Sequence, residues 1–239
     1  LWKDTHYKTL GTALLKRIAK EEVVTIPGLG VMLLPGKVGF AEKESWRVNP
    51  SYLPPQLLAR FAPLGETWKN MQRTTQRLLL ETAPKGFSPD WVIWQKDKGW
   101  QPDTTKPNVG SYDAIRVYLW AGMMADSSRG KADLIKQFQP MIQHTIQQGL
   151  PPEKTDTATG AVTGQGPVGF SASLLPMLSR QPDALAAQRQ RLTANPPGDN
   201  AYFAASLTLF GQGWDEKRYR FTSQGQLLPS RGSQCTTTP

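Results

Sequence analysis

The sequence carries one cysteine, Cys235, close to its C-terminal end, and two histidines, His6 and His144, far apart. A single thiol cannot build an internal disulfide framework. With two separated histidines and no ligand spacing, no metal site is expected. No run of 18 or more apolar residues occurs, so no transmembrane helix is expected. A Gly-x-Ser-x-Gly elbow is missing, which leaves Ser/His/Asp chemistry unsupported. RRM, zinc-finger and P-loop signatures are missing as well. Gly28-Leu29-Gly30 lacks the third glycine and the following helix of a dinucleotide fingerprint, and reads as a hairpin turn. No segment repeats at fixed spacing, which argues against a TPR- or HEAT-type array.

Acidic residues are the scarcer charge: 19 Asp and Glu against 28 Lys and Arg, a net charge of +9. The basic residues are scattered, densest at Lys16, Arg17, Lys20 and at Lys217, Arg218, Arg220. This pattern reads as a solvated basic surface rather than a nucleic-acid footprint. With 239 residues, 38% hydrophobic and 20% charged, the chain is long enough for one large domain or two small ones and apolar enough to fold.

Tyr7, Leu10, Leu14, Leu15 and Ile18 recur at three- and four-residue steps, so residues 1–20 read as an amphipathic helix. A chain that opens almost inside a helix, without an initiating Met or signal peptide, is expected to be cut from something longer. Residues 23–36 read as strand, Gly-rich turn and strand. Helices are expected over 51–60, 67–80, 111–124, 133–148, 170–178, 182–192 and 199–210, with Ser111 as an N-cap. Trp46 falls in a loop, 90–101 is a partly extended Trp-rich segment, and 151–169 is a Gly/Thr/Pro-rich loop. A strand is possible within 211–221, and 230–239 is polar and expected to fray. About eight helices with a few short strands and no βαβ alternation make the fold class all-α.

The chemistry concentrates at Ser111-Tyr112-Asp113-Ala114-Ile115-Arg116. Asp113 and Arg116 are three apart and share a helix face. A carboxylate held beside a fixed positive charge suits a general base. Trp91, Trp94, Trp100 and Trp120 surround the segment in sequence, and flat aromatic faces beside a carboxylate suggest a sugar-handling cleft. On the residues alone, the helix macrodipole is a sufficient account of Asp113.

Longer stretches then become familiar: Ala13-Leu14-Leu15-Lys16-Arg17-Ile18-Ala19, Leu33-Leu34-Pro35-Gly36-Lys37-Val38-Gly39-Phe40, Asn49-Pro50-Ser51-Tyr52-Leu53-Pro54-Pro55, Glu81 to Trp91, Tyr112-Asp113-Ala114-Ile115-Arg116 and Leu209-Phe210-Gly211-Gln212-Gly213-Trp214. In this order they resemble glycoside hydrolase family 8, and within it the endoglucanases that accompany bacterial cellulose synthase. The resemblance implies an (α/α)6 barrel with its N-terminal helices missing and short β-hairpins in its loops. Residues 1–239 would be the C-terminal two-thirds of one such domain.

It also implies an inverting endo-1,4-β-glucanase acting on cellulose or a related β-glucan without a cofactor. Asp113 would be the general base, Arg116 would steady it or contact substrate, and Tyr112 would position the water or a sugar hydroxyl. The general acid, a Glu, is expected before Leu1. Trp46 matches a sugar-stacking position, with an ordinary core Trp as the alternative. Tyr202 matches a Tyr that touches the glucan chain. Trp91 would lie near the cleft, and Asp90 would orient a neighbour or form a turn with Pro89. The resemblance further implies a periplasmic or secreted protein, a functional link to cellulose synthase, and pairing of Cys235 with a cysteine in the missing N-terminal segment, with a free tail thiol as the alternative. Xylan, mixed-linkage glucan and chitosan are the family's other substrates; a +9 chain would repel cationic chitosan. A non-catalytic glucan-binding fragment is the rival in function.

Overall fold

The computed structural model describes residues 4–230. Helix α1 (Thr5–Glu21) starts at Asp4, whose side chain accepts the His6 N–H at 2.7 Å. None of its residues is buried, and Leu10 and Leu14 stand exposed. Strands β1 (Val23–Ile26) and β2 (Gly30–Leu33) form the expected hairpin, with Gly28 at φ 76° in its turn, a conformation glycine adopts without steric cost.

Helices α2 (Pro55–Phe61) and α3 (Glu66–Glu81) follow. The expected helix over 51–60 begins only at Pro55. Residues 50–52 make a separate 3-10 turn, and Leu53 and Pro54 each precede a proline, which pushes them out of the helical region. Helix α3 is amphipathic and buries Trp68, Met71, Thr75, Leu78 and Leu79. Leu78 and Leu79 enter different cores: Leu78 joins the N-terminal cluster around Met32, Met71 and Trp94, and Leu79 joins the larger cluster around Tyr118, Phe138 and Leu174.

A three-stranded antiparallel sheet of β3 (Ser45–Val48), β4 (Val92–Gln95) and β5 (Gly99–Pro102), in the order β3-β4-β5, packs into the N-terminal core. Trp46, Trp94 and Trp100 are partners across it. Trp46 therefore lies in a strand rather than a loop, because its segment pairs with one more than 40 residues away. Val48, Val92 and Trp94 are buried on the same face as Trp46, and alternation turns Arg47 to the other.

A second small sheet joins β6 (Val109–Gly110), β7 (Lys154–Asp156) and β8 (Val162–Thr163), so the expected loop over 151–169 is partly paired. Helix α4 (Ile115–Met123) is buried nearly throughout. The single helix expected over 133–148 is two, α5 (Lys131–Gln137) and α6 (Gln139–Gln148), which meet at the fully buried Phe138. Pro140 sits in the first turn of α6, where its missing N–H costs least.

Helices α7 (Val168–Leu174), α8 (Pro182–Ala194) and α9 (Tyr202–Asp215) complete the helical set. Helix α9 runs five residues past its expected end, straight through Gly211 and Gly213. Gly211 is a packing residue rather than a stop: a Cβ there would collide with the Ala172 carbonyl of α7. Strands β9 (Tyr219–Phe221) and β10 (Leu227–Pro229) form a closing hairpin. Its turn carries Gly225 at φ 71°, so close to α2 that a Cβ would strike the Gln56 carbonyl and crowd the Arg60 N–H. The described residues thus hold nine α-helices and four small antiparallel sheets. Cys235 lies outside the described residues.

Candidate active site

Asp90 organises the segment that carries Asp113. Its N–H is held by the Val109 carbonyl at 2.7 Å. Its Oδ1 accepts three backbone N–H groups, from Ser111 (2.8 Å), Asp113 (3.1 Å) and Ala114 (2.7 Å). All three residues lie in the turn that leads into α4, whose N-cap is Ala114 with no side-chain cap bond, so Ser111 is not the N-cap and Asp90 shapes the entry turn instead. Ser111 is diverted: its hydroxyl donates to the Glu153 carbonyl at 2.6 Å. Burial pushes the Asp90 carboxyl above its ordinary pKa, and the Asp113 charge adds to this, against the pull of the three N–H groups.

Asp113 precedes α4 and is engaged at both carboxyl oxygens. Arg116 pairs with Oδ1, and the Trp91 indole N–H donates to Oδ2 at 3.0 Å. The Asp113 side chain is 28% exposed, so it is fixed yet open to water. Arg116 also donates to the Ser51 hydroxyl from Nε (3.2 Å) and Nη2 (2.8 Å). That hydroxyl donates to Asn49 Oδ1 at 2.7 Å, and Trp120 Nε1 donates to the Ser51 carbonyl at 3.0 Å. The planar guanidinium is thus gripped on two edges, which a lysine could not reproduce.

The Trp91 ring is covered by protein groups. The Arg47 guanidinium lies 3.8 Å from its centroid, Phe40 stacks on it at 6.0 Å, and Tyr52 meets it edge-on at 5.7 Å. Arg47 is in turn held by Asp103, through Nε at 2.5 Å and Nη2 at 3.3 Å. Burial alone would raise the Asp103 carboxyl. Bonds from Arg47, the Thr105 hydroxyl and the Lys106 N–H outweigh it and hold Asp103 at about 2.

Tyr112 is half exposed, its ring edge-on to Phe170 at 5.1 Å and 5.9 Å from Phe203. Its hydroxyl donates to Glu153 Oε1 at 3.4 Å. Burial and the Glu153 charge both raise its pKa.

Of the residues singled out in the sequence, Tyr112, Asp113, Arg116 and Trp91 therefore come together. Trp46 lies on the opposite sheet face from Arg47, against the N-terminal core. Tyr202 opens α9 and is 84% exposed. Its neighbour Phe203 reaches the cluster instead, 5.9 Å from the Arg116 guanidinium. Ser51, Glu153 and Phe203 carry no signal in the sequence, because each arrives from an element remote in the chain. Among the described residues no three or more His, Cys, Asp or Glu side chains gather as a metal site. None of the described helices is long and apolar enough to cross a membrane.

A helical scaffold presenting a braced, water-accessible carboxylate among aromatic rings is consistent with a carbohydrate-active enzyme. The chain belongs to glycosyl hydrolases family 8, whose family model matches residues 1–217. It is 60% identical over 235 residues to an endoglucanase of Escherichia coli (strain K12), covering 98% of this chain and 64% of that protein. An endoglucanase of Salmonella typhi is 57% identical, over 99% of this chain and 64% of its own length. The chain thus spans just under two thirds of these relatives. Among solved structures, the endo-1,4-D-glucanase from Vibrio fischeri ES114 superposes with a TM-score of 0.90 at 40% identity. That match covers 96% of this chain and 68% of the other.

Proposed function

We propose that the chain is the C-terminal part of a single (α/α)6 domain of an inverting endo-1,4-β-glucanase, with β-1,4-glucan as substrate and Asp113 as general base. The observation that carries this is the state of Asp113. Both its oxygens are engaged, by Arg116 and Trp91, while the group stays open to water. A base so held keeps its lone pairs aimed at one point, which limits reorganisation at the moment of proton transfer.

In the inverting reaction a water on the far face of the sugar ring loses its proton to Asp113 and attacks the anomeric carbon. The glycosidic C–O bond breaks as a second carboxyl group protonates the leaving oxygen. The two carboxyls stand roughly 6.5–9.5 Å apart to admit the water. The other carboxyls in this neighbourhood are engaged elsewhere: Asp90 with three N–H groups, Asp103 with Arg47, and Glu153 with Tyr112. We assign the acid to the part of the protein outside this chain. The exposed apolar residues of α1 and α9, Leu10, Leu14 and Leu209, fit helices that meet further helices in a complete barrel. Tyr112, Arg116 and Phe203 would contact the sugar, whereas Trp91 acts through Asp113 because its ring is covered. Stacking by Trp46 and contact by Tyr202 rest on the family resemblance. So do export to the periplasm and the link to cellulose synthesis, which cell fractionation tests.

Hydrolysis of carboxymethylcellulose is the direct test. The 239-residue chain alone should be inactive, and a protein extended to the full length of the relatives should be active. NMR of the first product should show the inverted α-anomer. Turnover by the isolated chain would place the acid within it. A non-catalytic glucan-binding fragment of such an enzyme is the second reading, favoured by the engaged carboxyls, and predicts that the isolated chain binds cello-oligosaccharides without hydrolysing them.

A further inference from the structure

Away from Asp113, helices α2, α3 and α5 and the turn at Thr222-Ser223 enclose a cavity of about 370 Å³, within the range of small-molecule sites. Leu58, Leu79 and Leu134 contribute an apolar floor. Two of its lining residues carry buried polar atoms without a partner among the described residues: Gln56 Oε1 and Thr75 Oγ1. Gln56 is 5% exposed and Thr75 2%. The Gln56 amide orientation is set by its Nε2, which donates to the Trp120 carbonyl at 2.6 Å. Reversing the amide would oppose two oxygens, so Oε1 is an acceptor awaiting a donor. Thr75 differs from its neighbour Thr74, whose hydroxyl returns to the Asn70 carbonyl at 3.1 Å. A buried polar atom left unpaired is costly, and two beside one cavity mark a place where a hydroxylated molecule fits.

The charge is equally one-sided. Lys69, Arg73 and Arg129 line the cavity, and none of its described lining residues is acidic. Lys69 is shared with the exposed Glu66 at 3.0 Å, and Arg73 bonds only the neutral Asn70. Arg129 has no hydrogen bond or ion pair among the described residues. We infer that this cavity is a binding site for a small hydroxylated anion, a sugar phosphate or a sugar acid. Gln56 Oε1 and Thr75 Oγ1 have almost no accessible surface in this state, so the anion's hydroxyls reach them once the lining side chains shift to uncover them, and its charge meets Arg129 and Arg73.

Calorimetric titration of the chain at low salt with glucose 6-phosphate and glucuronate tests this, with glucose and inorganic phosphate as the separated halves. At least one of the two anions should bind saturably and more tightly than glucose or phosphate, and the tighter one identifies the anionic group. Arg129→Glu, at an exposed position, should weaken binding about tenfold or more, the scale of a charge-assisted hydrogen bond. Thr75→Val keeps the shape, loses the hydroxyl and should weaken binding about tenfold, with circular dichroism confirming the fold. Absence of saturable binding overturns the inference, as does glucose binding equally well. Phosphate binding that Thr75→Val leaves unchanged reduces the site to a basic rim and overturns it too. Loss of binding in the protein extended to the relatives' full length would make the cavity a packing surface for the added segment, and the inference would fall with it.

Discussion

Asp103→Asn isolates one electrostatic interaction on which the site leans. The Asp103 side chain is fully buried and its carboxyl lies at about 2, against an ordinary 3.8. A carboxylate depressed on folding contributes stability above its unfolded pKa, and that contribution is lost as the pH falls through the folded value. The difference of 1.8 units, 3.8 less 2, corresponds to about 2 kcal/mol at 1.36 kcal/mol per unit. Asparagine behaves as a permanently protonated Asp103. The variant should therefore be about 2 kcal/mol less stable at pH 7, about 1 kcal/mol less at pH 3 and well under 1 kcal/mol less at pH 2. Urea denaturation of both proteins across this range, followed by tryptophan fluorescence, reads the gap directly. A gap that stays constant with pH would show that Arg47 does not hold the Asp103 charge. Arg47 also covers the Trp91 ring, so the variant should loosen Trp91 and lower activity of the longer protein at pH 7.

Asp113→Asn should lower carboxymethylcellulose hydrolysis by the longer protein by roughly 10²–10⁴-fold without moving its thermal midpoint; undiminished turnover would remove Asp113 from the reaction. Trp91→Phe deletes the N–H that reaches Asp113 Oδ2 and keeps a ring for Arg47, so kcat should fall about tenfold with KM little changed. Asp90→Ala strands three N–H groups and should cost about 1–3 kcal/mol or more in urea melts, whereas Asp90→Asn, which keeps an acceptor, should recover much of it. Gly211→Ala forces a Cβ against the Ala172 carbonyl, and differential scanning calorimetry should show a loss of about 1–3 kcal/mol.

The helices were legible in the sequence wherever their apolar spacing was local. Helix α3 shows its buried stripe of Trp68, Met71, Thr75, Leu78 and Leu79 directly, and the β1–β2 hairpin announces its turn through Gly28. The sheets were less legible, because β3 and β4 find each other across more than 40 residues and neither has enough alternation to declare itself. The end expected for α9 at Phe210 fell short, because Gly211 serves close contact with α7 inside the helix. At the site, Tyr112, Asp113 and Arg116 stand together in one hexapeptide. The turn of that hexapeptide is held by Asp90, about 20 residues upstream, and a side chain that reaches over from another element leaves no local signature. Phe203 was missed for a different reason: adjacent residues on a helix point about 100° apart, and spacing alone does not decide which of Tyr202 and Phe203 faces Arg116.

The contact between Gly225 and α2 has a consequence in time. The carbonyl of Gln56 and the hairpin that closes over it are separated by most of the chain. Synthesis at about 5–20 residues per second leaves α2 waiting on the order of ten seconds or more before its covering turn emerges. During that interval the cavity has no wall at Thr222-Ser223. The helical scaffold can assemble earlier, but the cavity is completed only once this hairpin emerges. A ribosome-bound intermediate stalled before Gly225 should therefore hold most of its helices and lack the cavity.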